Sequence, residues 1–301
     1  MTTKETHTFK TVEDCKIHVD VYAGAGTGTR PTIVWLHGGA LMFGNRGMIH
    51  PSQVELYVNA GYTVIAADYR LAPENKLPEI LTDVQDAIAW VRGEATRLFG
   101  LDPARLAVIG HSAGGYLTLL AGRYVRPRPQ ALVAFYGYGD IVGPWYSTPS
   151  AFYCQQPRVS ETEAAAVVGR TEVSESPLRD SADFDPARDR SRFYLYCRQH
   201  GCWPQAATGL DPRQDFDAFL PFCPIEHITA DYPPTLLLHG DDDTDVPHEQ
   251  SAMMDRALAD ANISHKLLTI RGGAHGFDAA MGDSIVATTF AEVLGFLAQH
   301  V

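Results

Sequence analysis

Four short stretches carry side chains that could do chemistry together. Residues 110–115 read GHSAGG, between the apolar runs RLAVI (105–109) and YLTLLA (116–121). A serine at a sharp strand-to-helix turn is pushed out at the carboxyl edge of a sheet, and its neighbours must be glycine because side chains there collide. The first amides of the following helix favour negative charge. Ser112 is thus a candidate nucleophile for acyl transfer, with an ordinary glycine-rich turn as the competing reading. A serine hydroxyl needs a base. Of the twelve histidines, His275 stands apart, in RGGAHGF (271–277) straight after the last predicted strand. A solvated loop histidine is the alternative there. The base needs a carboxylate to fix its tautomer. HGDDDTDVP (239–247) follows the run PTLLL and offers Asp241, Asp242, Asp243 and Asp245. Carboxylates so close repel one another, so most belong to a solvated turn, and spacing alone does not choose among them.

An acyl-transfer site also needs donors for the oxyanion. His37-Gly38-Gly39-Ala40 follows the run TIVWL (32–36). Two backbone N–H groups there, with that of Ala113, could converge on the developing charge. Losing one such donor typically raises the barrier by about 3–4 kcal/mol. Metal chemistry is less well served. Cys197 and Cys202 flank His200 in CRQHGC without further ligands at suitable spacing. The acidic run lacks the Gly and Glu of a calcium loop. No metal or organic cofactor is expected.

These residues need elements to hold them. HTFKTV (7–12) and CKIHVDVY (15–22) alternate as half-buried strands do. GAGTGTRP (24–31) reads as a turn, and TIVWL as a strand buried on both faces. Strands are then predicted at 62–69, 105–109, 131–138, 234–240 and 265–270, and helices at 51–61, 77–100, 113–125, 248–261 and 284–299. In the helix at 77–100, Ile80, Val84, Ala87, Ile88 and Val91 recur every three or four positions and form one apolar face. Alternating strands and helices imply an α/β fold, with a mostly parallel central sheet and helices on both faces. The segment 139–225 breaks this rhythm. It is rich in Pro, Gly, Arg and aromatic residues and holds Cys154, Cys197, Cys202 and Cys223. A structureless loop of that length is unusual, so it reads as an inserted cap with short helices near 161–168 and 187–199.

The chain has 301 residues, 45% hydrophobic and 20% charged, with a formal net charge of −12. An acidic balance disfavours nucleic acid and anionic membrane surfaces as partners. The polar start, MTTKETHTFKTVEDCK, has no apolar signal core, and no run approaches a membrane span. Five cysteines, an odd number, suit reduced thiols in a cytoplasm.

Five motifs together resemble the α/β-hydrolases, close to the hormone-sensitive-lipase-like and small carboxylesterase branches: HGG (37–39), DYRLAPE (68–74), GHSAGG (110–115), HGDDDTDVP (239–247) and GGAHGF (272–277). The resemblance implies an α/β-hydrolase core over 1–138 and 226–301, with 139–225 as the variable cap. It also chooses the acid: the pattern H-G-x-x-D-x-x-V-P falls on Asp243. By the same mapping Gly39, Ala40 and Ala113 supply oxyanion N–H groups, Gly38 supports their turn, and Asp68 and Arg70 are structural. Ala40 stands where the lipase-like branch has a third glycine, and His111 where it favours aspartate. The implied activity is hydrolysis of small to medium carboxylic esters through an acyl-enzyme. The same triad also cuts amides, peptides and lactones, and a non-catalytic binding protein on this fold would have lost a triad member. His111, Trp145, Tyr146, Phe152 and Tyr153 are the expected substrate-pocket residues, although the insert's aromatics could equally form its own core. The expected partner is a small-molecule ester, and a homodimer is compatible with the sequence.

Overall fold

The computed structural model describes residues 2–24 and 28–301. One sheet contains eight strands: β1 (Thr3–Val12), β2 (Cys15–Ala23), β3 (Arg30–Leu36), β4 (Thr63–Ala67), β5 (Leu101–His111), β6 (Ala131–Phe135), β7 (Thr235–Gly240) and β8 (His265–Ile270). Their spatial order is β1-β2-β4-β3-β5-β6-β7-β8. The β1–β2 and β2–β4 pairings are antiparallel, and all those from β4 to β8 are parallel. Each run read as a strand is therefore a strand. Of the turn expected at 24–31, residues 25–27 lie outside the described residues.

Period-two alternation builds two cores on one sheet. Val34, Leu36, Ile65 and Ala67 point to one face, with the helices Leu77–Trp90 and Ala113–Tyr124. Ile33, Trp35, Val64 and Ala66 point to the other, with the helices Pro51–Asn59 and Ser284–His300. Strands covered on both faces are mostly apolar, and in β3 and β4 the buried exceptions are Thr32 and Thr63. The helix expected at 77–100 is not uniform: a π-helical turn spans Val91–Ala95, and the chain leaves at Gly100 with φ 64. β6 is shorter than the expected 131–138. Tyr136 turns out of the strand with φ 37, and Gly137 packs directly on the Gly115 backbone.

The turn at Ser112 depends on close backbone approach. A Cβ added at Gly114 would lie 2.1 Å from the Leu36 carbonyl oxygen, and one at Gly110 would lie 2.0 Å from that of Gly114. The helix start is thus pressed against the end of β3, beside the HGGA loop. Gly114→Ala is expected to lower unfolding free energy by about 3 kcal/mol, because only a backbone shift can relieve the clash. Gly295→Ala, on the exposed side of the last helix with nothing near its added Cβ, should instead stabilise by about 0.5–1 kcal/mol. Denaturant unfolding of the two variants checks the pair; equal effects would contradict this account.

Between β6 and β7 the chain forms short helices, among them Pro144–Ser147, Glu161–Ala166, Ser191–His200 and Trp203–Thr208. Ser160 and Glu163 cap the start of Glu161–Ala166 reciprocally. Tyr146, Tyr194, Cys197, Trp203 and Phe219 are buried in the same apolar cluster as Leu77 and Leu117. The insert therefore shares the core of one sheet face. Among the described residues no helix is long and apolar enough to cross a membrane, and all five cysteines are free thiols.

Candidate active site

Ser112 sits between β5 and the helix Ala113–Tyr124 with φ 54 and ψ −117. A left-handed conformation at a residue bearing a Cβ costs on the order of 1–3 kcal/mol and persists only where its surroundings enforce it. Here its N–H donates to the Phe135 carbonyl at 2.9 Å, and its carbonyl accepts from the Tyr116 N–H at 2.9 Å.

The loops after β7 and β8 are laced together by backbone hydrogen bonds. Asp241 N–H donates to Ile270, and Asp242 N–H to Gly273, both at 3.1 Å. Gly240 is required at this crossing, since an added Cβ would lie 1.9 Å from the Gly273 carbonyl oxygen. The lacing brings His275 against Asp243: Nδ1 is 2.7 Å from Oδ2. On its other side, Nε2 is 3.0 Å from Ser112 Oγ. A proton held on Nδ1 by the carboxylate leaves Nε2 free to accept from the serine hydroxyl. Asp241 and Asp242 are exposed. The Asp243 carboxyl is fully buried; its Oδ1 accepts the N–H groups of Asp245 at 2.8 Å and Val246 at 2.9 Å.

Electrostatics match this geometry. Burial alone would push the Asp243 pKa up. Hydrogen bonds from His239 and His275 and the Val246 N–H outweigh burial and hold the carboxyl below the ordinary range. For His275, burial would lower the pKa; the Asp243 hydrogen bond and the charges of Asp245, Asp243 and Asp278 outweigh it and raise the pKa above 6.5. Burial lowers His111, with Asp278 opposing.

A cavity of about 320 Å³ opens over Ser112. Gly38, Gly39, Ala40 and His111 are on its wall, beside Ser112 and His275. Ala113 is not on the wall; it is buried as the first residue of its helix. The HGGA loop is shaped by positive φ at Gly39 (100) and Ala40 (54). It closes with the Met42 and Phe43 N–H groups donating to the Gly39 carbonyl at 2.8 and 3.0 Å. The insert holds the loop from outside: the Trp203 indole N–H donates to the Ala40 carbonyl at 2.9 Å, and Arg190 Nε to that of Met42 at 2.7 Å. Asp68 and Arg70 lie off the wall and pair with Arg46 and Asp83 respectively.

The aromatic residues expected in the pocket require correction. Trp145, Tyr146, Phe152 and Tyr153 do not line the cavity. Tyr146 is stacked between Trp145 and Trp203, with centroids 3.9 and 4.0 Å apart. Tyr153 packs edge-on to Tyr194, and Phe152 is 43% exposed. The buried rings face one another and Arg198, so they form the insert's own packing. The cavity's aromatic walls are Trp35, Phe43, Tyr136 and Tyr194, none of them read from sequence. Sequence reasoning also missed Asp278. Its carboxylate accepts from Tyr136 Oη at 2.5 Å and Gln53 Nε2 at 2.8 Å, and lies 3.3 Å from His111 Nδ1. Its place three residues after His275 was the available signal.

The family model for the α/β hydrolase fold matches residues 33–279. The chain belongs to the α/β hydrolase family. This hydrolase is 29% identical to the non-reducing polyketide synthase ausA of Aspergillus calidoustus over 319 residues, which cover 90% of the chain and 13% of the synthase. It is also 29% identical to the esterase LipC of Mycobacterium tuberculosis over 272 residues, 89% of the chain and 58% of LipC. The hydrolase thus spans only part of the length of these curated relatives. A Staphylococcus aureus protein of unknown function superposes with a TM-score of 0.77 at 23% identity, covering 98% of this chain and 99% of the other; that likeness concerns the fold.

Proposed function

We infer that the chain is a serine hydrolase that cleaves small to medium carboxylic esters. The observation that carries this reading is the unbroken run Asp243–His275–Ser112, at 2.7 and 3.0 Å, opening into a cavity of about 320 Å³. Ser112 Oγ attacks the ester carbonyl carbon while His275 Nε2 takes the hydroxyl proton. The amides of Gly39, Ala40 and Ala113 receive the charge on the carbonyl oxygen. The tetrahedral species collapses as His275 returns the proton to the leaving alcohol, giving an acyl-serine. Water repeats the sequence and releases the acid. Asp243 orients His275 and stabilises its imidazolium form. The name of the relative LipC supports ester over amide chemistry.

The test is a series of aryl esters of increasing acyl length, beside an aryl amide and a lactone. Turnover should be clear on short and medium esters, with a burst of aryl alcohol, and fall off at long chains because the cavity is near the small end of ligand pockets, about 300–1,000 Å³. Negligible rates on every ester with clear amide or lactone turnover would replace this reading.

A further inference from the structure

On the wall beside Ser112 stands Asp245, a second carboxylate two residues beyond Asp243. Its Oδ1 is held by the Tyr194 hydroxyl at 2.5 Å and by Arg198 Nη1 at 3.1 Å. Arg198 Nη2 also donates to the Asp245 carbonyl at 3.2 Å. Arg198 is itself fixed, buried against the rings of Trp145, Tyr146, Tyr153 and Tyr194. Asp245 Oδ2 is therefore presented in one position. The Tyr153 hydroxyl also hydrogen-bonds this carboxylate, and Oδ2 lies 3.7 Å from His275 Nε2. The other wall carboxylate, Asp278, has its oxygens engaged by Tyr136 and Gln53. Among the described residues the wall contains no lysine or arginine.

We propose that Asp245 selects esters whose alcohol portion carries a hydrogen-bond donor, a hydroxyl or a protonated amine, close to the ester oxygen. The inference rests on the serine-esterase reading above. His275 Nε2 must protonate the leaving oxygen, so that oxygen comes within about 2.6–3.2 Å of it. A donor two or three bonds further along the alcohol then falls within reach of Oδ2. Phe43 and Tyr194, with centroids 6.0 Å apart, flank the same part of the wall and suit the carbon chain that carries the donor. An anionic alcohol portion meets two carboxylates and no opposing cation.

The experiment uses four acetate esters on the whole protein: 2-hydroxyethyl, 2-(dimethylammonio)ethyl, 2-(trimethylammonio)ethyl and n-propyl. Each kcat/KM is divided by the same ester's hydroxide-catalysed rate, which removes leaving-group reactivity. Both donor-bearing esters should exceed the propyl ester by roughly tenfold, the size of one charge-assisted hydrogen bond. In Asp245→Asn the amide oxygen can keep Tyr194 and Arg198 while a donor replaces Oδ2, so the donor preference should vanish. An equal loss on all four esters would mean that Asp245 acts only through His275 and would overturn the proposal. So would a trimethylammonio ester as fast as the dimethylammonio one, since charge alone would then suffice. If the variant does not fold, the ratios for the unmodified protein decide alone, and the absence of a donor preference there ends the idea. Turnover surviving in Ser112→Ala would instead strike the esterase reading itself.

Discussion

Ser112→Ala is expected to lower kcat on aryl esters by roughly 10⁴- to 10⁶-fold, the scale seen when a triad nucleophile is removed. The leaving-group burst should vanish while thermal unfolding stays close to that of the parent. Only Oγ is lost. The strained turn is enforced by the backbone bonds to Phe135 and Tyr116 and by the glycine contacts at 110 and 114, and alanine meets the same constraint at φ 54 as serine does. The residual rate would come from the amides of the HGGA loop and from substrate binding. Stopped-flow release of the aryl alcohol measures burst and steady state together, and a full burst in the variant would remove Ser112 from the chemistry.

Asp243→Asn should lower kcat by about 10⁴-fold. Asp243 Oδ1 accepts the Asp245 and Val246 N–H groups, and only Oδ2 faces His275. The asparagine oxygen keeps the two backbone bonds, so its amide nitrogen lands against Nδ1. That forces the imidazole proton onto Nε2, where it blocks uptake of the serine proton. Asp241→Asn and Asp242→Asn should stay within about twofold, because both carboxylates are exposed and an asparagine oxygen still accepts the Gly272 N–H that Asp241 Oδ1 holds. The pH profile of the parent carries the same signature. Burial lowers the His275 pKa, but Asp243 and the neighbouring carboxylates outweigh it and raise it above 6.5. Catalysis needs neutral His275, so kcat/KM should fall as pH drops through that raised value. Equal losses in all three asparagine variants would dismiss Asp243 as the acid.

The core was legible in the sequence because its strands are covered on both faces. A run such as TIVWL is apolar after Thr32, so local pattern alone reveals it. The turns that carry Ser112 and His275 were legible for a different reason: strained turns at a sheet edge need glycine, and glycine is visible in the sequence. Asp243 was not separable from Asp241 and Asp242 by spacing. What separates them is burial, which depends on the β8 loop bringing His275 back from 32 residues later in the chain. The insert was least legible. Its aromatics are equally suited to a pocket wall and to packing on one another, and the choice fell to the partners of Tyr146, namely Trp145 and Trp203, one of them 57 positions away. Asp245 was hidden in the same way, since Tyr194 and Arg198 come to it from a distant helix.

Trp203 and Arg190 join the insert to the carbonyls of Ala40 and Met42, on the loop beside Ser112. The segment is consequently not an interchangeable lid. A chimera that swaps it for a relative's insert, without groups to replace that indole and guanidinium, should release the loop whose amides we propose meet the oxyanion. Such a graft would be read as a failed change of specificity when the step it damages is bond-making itself. Two of the insert's side chains are thus tied to the loop that borders the cavity over Ser112.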